Sequence, residues 1–156
     1  MGEHEAWMRE AIRAARAGLA AGQSPFGSVI VRGGALVAAG HNEVWQRTDP
    51  TAHAEVVTIQ RAAGALGRID LGGCVLYSTC EPCPMCAAAI HWARLDAVYF
   101  GATIADARGA GFNELGVGID ELYRSGGSGV RVVTGVLAAE CAELFREWRD
   151  RAGKAY

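Results

Sequence analysis

The sequence predicts a three-layer α/β/α fold built on a mixed five-stranded sheet. Three observations carry this expectation: five short apolar runs with strand character, amphipathic helical stretches between them, and a glycine-turn hairpin ahead of the strand–helix alternation. Helices are expected on both faces of the sheet.

The first element spans Glu5 to Leu19, where Trp7, Met8, Ala11, Ile12, Ala15 and Leu19 form one helical stripe and Gly18 and Gly22 mark its end. Residues 27–31 and 35–39 then flank Arg32-Gly33-Gly34 as a β-hairpin. Asp49-Pro50-Thr51 leads into a second helix over Ala52 to Gly64. Gly73 to Ser78 reads as a buried strand, followed by a helix from near Pro82 to Ala93 and a strand over Asp96 to Phe100. Residues 108–129 are glycine-rich, with a short helix over Ile119 to Arg124. A fifth strand covers Val130 to Thr134, and the closing helix, Ala138 to Arg151, turns Cys141, Leu144, Phe145 and Trp148 inward.

With 156 residues, 51% hydrophobic and 21% charged, the chain suits a single domain over residues 1–156 rather than a disordered segment. No apolar run is long enough for a membrane span, and the acidic N-terminus lacks the basic and apolar regions of a signal peptide, so a cytoplasmic protein is expected. The formal net charge of −2 gives no general attraction to a phosphate backbone. A small-molecule substrate is therefore expected, with no nucleic-acid or membrane partner. In a reducing compartment the five cysteines point to metal binding or catalysis before disulfides.

Three of those cysteines fall in Ser78-Thr79-Cys80-Glu81-Pro82-Cys83-Pro84-Met85-Cys86. An iron–sulfur cluster would need a fourth suitably spaced cysteine, and a structural zinc ribbon a second C-x-x-C. A thioredoxin-like pair would leave the rest of the pattern unexplained. His53-x-Glu55 with Pro82-Cys83-x-x-Cys86 instead matches the signature of zinc deaminases. One imidazole and two thiolates leave the fourth tetrahedral position of Zn²⁺ for water, as catalytic sites require. Cys83 and Cys86 lie three residues apart at a helix N-terminus, on one face and near the positive dipole end. Glu55 lies about 200° around an ideal helix from His53, which suits a separate role as proton carrier. Cys80 belongs to the strand end and reads as a buried structural thiol.

Through Pro25-Phe26-Gly27, His41-Asn42, residues 49–55, 81–86 and 89–93, nearly the whole chain resembles the cytidine-deaminase-like superfamily. Within it the bacterial guanine deaminases are the most similar group in length, in Trp92, in Gly111-Phe112-Asn113-Glu114 and in Tyr156. That resemblance implies a hydrogen bond from Asn42 to the base, with Phe26 and Trp92 walling its ring. It also implies a second carboxylate at Glu114 for the leaving amine and closure of the pocket by Tyr156. It further implies a homodimer in which the segment around 136–156 is exchanged between subunits. Backbone amides near Ala54 and Cys83 are expected to add polar contacts. Residues 133–144 look more like the tRNA adenosine deaminases.

The expected activity is zinc-dependent hydrolytic deamination of a free base, guanine to xanthine plus ammonia, with one Zn²⁺ per subunit. Three other readings stay open: a cytosine-like, triazine or nucleoside substrate; a tRNA adenosine substrate; and a structural zinc module without turnover.

Overall fold

A computed structural model describes residues 2–156. Five strands, β1 (Gly27–Arg32), β2 (Ala35–His41), β3 (Cys74–Cys80), β4 (Ala97–Ala102) and β5 (Arg131–Val133), form one sheet in the order β2-β1-β3-β4-β5. β1 runs antiparallel to both β2 and β3, whereas β3, β4 and β5 are parallel. The sheet is thus mixed, as expected.

The helices are α1 (Glu3–Ala20), α2 (Val44–Arg47), α3 (Ala54–Leu66), α4 (Pro84–Trp92), α5 (Ile104–Ala110), α6 (Ile119–Gly126) and α7 (Ala138–Asp150). Alternation along the strands divides the apolar side chains between two cores. Val29, Val31, Tyr77 and Tyr99 pack with α1, α5 and α7, while Ile30, Leu76, Val98 and Phe100 pack with α3, α4 and α6. Close approach of α7 to β4 depends on Gly101. A Cβ there would lie 2.2 Å from Cys141 Sγ and 2.8 Å from the Val136 carbonyl.

The two helices at the site begin later than the sequence reading places them, for local reasons. Asp49 Oδ1 accepts hydrogen bonds from the Thr51 amide (2.8 Å) and hydroxyl (2.7 Å), which holds residues 49–53 in a turn and delays α3 to Ala54. α4 starts at Pro84 rather than near Pro82, because a residue before proline avoids the helical region; Cys83 is extended at φ −64°, ψ 168°. Two short helices were not expected. One is α2; the other is α5, whose Thr103 hydroxyl accepts the Asp106 N–H while the Asp106 carboxylate accepts the Thr103 N–H.

Candidate active site

The site forms where the N-termini of α3 and α4 meet beside the C-terminal end of β3. His53 is the N-cap of α3, and Cys83 is the N-cap of α4 with Cys86 in its first turn. Buried hydroxyls fasten α3 to the sheet. Ser28 Oγ and Thr58 Oγ1 lie 2.6 Å apart and reach the Ala54 carbonyl at 3.0 and 2.7 Å. Ala54 is the first residue of α3, so its N–H has no acceptor within the helix.

His53 Nδ1 lies 3.6 Å from Cys83 Sγ and 3.6 Å from Cys86 Sγ. All three candidate ligand atoms fall within 4.8 Å of one another, and among the described residues this is the one group of His, Cys, Asp or Glu so arranged. A tetrahedral zinc with bonds of about 2.3 Å to sulfur and about 2.0 Å to nitrogen has S···N edges of about 3.5 Å. The donor set and its spacing therefore fit Zn²⁺, and Nδ1 is the nitrogen that faces it. The Cys83 thiol is pushed down to about 4, chiefly by its hydrogen bond with Cys86, which outweighs burial. Cys80 stays outside the trio. Its Sγ donates to the Thr103 carbonyl at 3.5 Å, and burial raises its pKa.

Glu55, buried in the first turn of α3, accepts a hydrogen bond on Oε1 from Ser78 Oγ at 2.9 Å. Burial and then the negative charge of Cys83 raise its pKa above the usual carboxylate range. Glu114 lines the same cavity, half-buried, its pKa pushed up to about 7 mainly by burial.

Asn42 is fully buried and held in one orientation, because its Oδ1 accepts the Val44 N–H at 3.1 Å. That leaves Nδ2 facing the cavity, where it donates to the Tyr156 hydroxyl at 2.6 Å. Phe26 forms an adjoining wall and meets Phe112 edge-on at 5.0 Å; Phe112 also meets Tyr156 at 5.5 Å. Trp45 of α2 holds the tail in place. Its indole N–H donates to the Lys154 carbonyl at 3.1 Å, and Lys154 Nζ lies 5.5 Å from the ring centre. The tail that carries Tyr156 therefore lines the pocket together with Phe26, Asn42 and His53.

Trp92 requires correction. It is the last residue of α4, 81% exposed, and at a rise of about 1.5 Å per residue it stands roughly 13 Å along the helix from Cys83. It does not wall this chain's pocket. Conversely, Ser28, Thr58, Ser78 and Glu81 support the site, and the sequence reading gave them no role. For Ser28, Thr58 and Ser78 the available signal was a hydroxyl inside an otherwise apolar strand or helix, since a buried hydroxyl needs a partner; Glu81 carried no such signal.

Residues 1–102 match the family model for the cytidine and deoxycytidylate deaminase zinc-binding region. Over 152 residues the chain is 41% identical to a guanine deaminase of Bacillus subtilis strain 168, covering 97% of each protein. It is 39% identical to a tRNA-specific adenosine deaminase of the same organism, covering 97% of this chain and 94% of that protein. The solved structure of a guanine deaminase from Nitrosomonas europaea superposes with a TM-score of 0.86 at 30% identity, over 94% of this chain and 84% of that one. Among the described residues, no helix is long and apolar enough to cross a membrane.

Proposed function

Because the chain belongs to the cytidine and deoxycytidylate deaminase zinc-binding family, we propose that it is a zinc-dependent aminohydrolase of a free purine base, converting guanine and water to xanthine and ammonia. The observation that carries this reading is the Tyr156–Asn42 hydrogen bond beside the metal-ligand trio. A pocket closed in this way suits a small base, whereas an RNA strand needs an open, positively charged groove. Whole-length similarity to a guanine deaminase supports the same substrate.

His53, Cys83 and Cys86 would hold a zinc ion, which would supply Lewis acidity and a water made acidic enough, at a pKa of about 7, to attack at neutral pH. Glu55 takes the proton of the attacking water and delivers it to the ring nitrogen next to the amino-bearing carbon. Ser78 holds Oε1 of that carboxylate in place, leaving the second oxygen for proton transfer. Asn42 offers its Nδ2 protons to an acceptor on the base. Phe26 packs against the ring, the first-turn amide of Ala54 adds a donor, and Tyr156 covers the opening. Glu114, whose raised pKa keeps a proton available near neutral pH, serves the departing ammonia.

A homodimer fits this reading. Met85, Ala88 and Trp92 form an exposed apolar stripe on α4, a face that a second copy would cover. The free cysteines suit a reducing compartment such as the cytoplasm.

The deciding experiment is an ammonia-release screen of the zinc-loaded protein across guanine, adenine, cytosine, their nucleosides, triazines and tRNA. Guanine turnover supports the proposal. Inertness towards guanine with adenosine-to-inosine conversion in tRNA would replace it with the second reading, which the 39% identity to a tRNA-specific enzyme favours.

A further inference from the structure

We infer that Glu81 is a positioning residue that sets the location of Glu114 by holding both helices that border the Glu114 segment. Its two carboxylate oxygens reach different helices. Oε1 accepts the N–H of Ile104, the first residue of α5, at 3.2 Å; Oε2 accepts the N–H of Ile119, the first residue of α6, at 3.0 Å. Both N–H groups lie in helical first turns, where the backbone supplies no acceptor and the dipole favours a negative charge. α6 has no other side-chain cap, because its N-cap is Gly118. Even the glycine is closely fitted, since a Cβ there would lie 3.1 Å from Glu81 Oε2.

Only residues 111–118 separate α5 from α6, and Glu114 lies in that span. One carboxylate therefore fixes the chain on both sides of it. Glu81 is itself secured at the sheet, its N–H donating to the Ala102 carbonyl at 2.8 Å, and it sits two residues before the ligand Cys83. A second tie holds α6 to the metal-bearing helix, through the Tyr123 hydroxyl on the Ala87 carbonyl at 2.7 Å. The end of β3 thus ties the zinc-binding turn to the span carrying the second carboxylate.

This inference rests on the deaminase reading only through the role of Glu114, so its test has one arm that needs no substrate. Zinc-loaded wild type, Glu81→Gln and Glu81→Ala are compared by amide hydrogen exchange, with zinc content as the check on folding. Faster exchange confined to residues 104–119 is expected; unchanged exchange there overturns the inference. The second arm measures kcat and KM, on whichever base the screen shows to be turned over, in wild-type and Glu114→Gln backgrounds. In the wild-type background Glu81→Gln should lower kcat roughly ten- to a hundredfold with KM little changed. In the Glu114→Gln background the same change should cost little, because the group it positions is already lost. Equal losses in both backgrounds overturn the inference. If no base releases ammonia, the deaminase reading falls and the exchange arm alone decides the clamp.

Discussion

Ser78 donates its hydroxyl proton to Oε1 of Glu55 over 2.9 Å, and both residues are buried beside the zinc-ligand trio. A carboxylate with one oxygen held by a neutral donor keeps a fixed direction without being neutralised by a cation, as a residue that must repeatedly gain and lose a proton requires. Ser78→Ala should therefore retain zinc and fold while losing about ten- to a hundredfold in kcat, the worth of a hydrogen bond to a charged group. Wild-type kcat in this variant would remove the proposed role of the serine.

Glu55→Gln keeps the shape of the side chain and removes the proton carrier. Turnover should drop by about a hundredfold to ten-thousandfold with zinc content unchanged, measured as ammonia release from guanine. Full activity would refute the assignment.

Metal removal should change which thiols react. In zinc-loaded protein Cys83 and Cys86 are protected; after chelation Cys83, whose pKa lies near 4, is thiolate at neutral pH and should alkylate first. Cys141, pushed up to about 12 by burial, remains a protonated thiol and should stay unmodified. Peptide mapping after brief iodoacetamide treatment reads the order, and early labelling of Cys141 would contradict it.

Tyr156→Phe deletes the acceptor for Asn42 Nδ2 and keeps the ring that meets Phe112 and Trp45. KM for the base should rise about tenfold with a smaller change in kcat. Asn42→Ala should have the larger effect on KM, since it removes the donor itself. A reversed order would place recognition elsewhere in the pocket.

Gly101→Ala tests the packing of α7 on β4. A methyl group 2.2 Å from Cys141 Sγ must displace the helix or its side chain, at a cost of about 1–3 kcal/mol. Thermal unfolding should show a lowered Tm, partly restored by Cys141→Ala in the same chain. An unchanged Tm would mean that α7 is not held at this distance.

The sequence showed the metal ligands because their chemistry imposes residue type and spacing together: a histidine two residues before a glutamate, and cysteines three apart at a helix start. The sheet was legible because residues 29–31 and 74–77 are short continuous apolar runs, as strands buried on both faces require, and the structure divides their side chains between two cores. The supporting residues were not legible. Ser78 matters because β3 places it under Glu55, and Glu81 because two helices distant in sequence both begin at its carboxylate. Such roles arise from tertiary geometry: a hydroxyl in an apolar run signals that it needs a partner, but not which partner. Trp92 shows the opposite error: an aromatic residue near the cysteines in sequence lies far from them along α4. α5 was within reach of the reading, because Thr103 and Asp106 have the spacing of a reciprocal helix cap.

The order of these parts along the chain has a further consequence. His53, Glu55, Cys83 and Cys86 all precede β4, whereas Glu114 and Tyr156 come from segments added after it and meet the earlier residues only at the pocket. The metal ligands and the proposed proton carrier Glu55 are therefore written in one stretch of the gene, and Glu114 and the pocket-closing Tyr156 in another. Changes after β4 that spare Glu114 can alter the fit of the base without disturbing His53, Glu55, Cys83 and Cys86. A library varied only in residues 111–113, 115–118 and 151–156, with Glu114 kept, would be a rational starting point for a deaminase of altered preference.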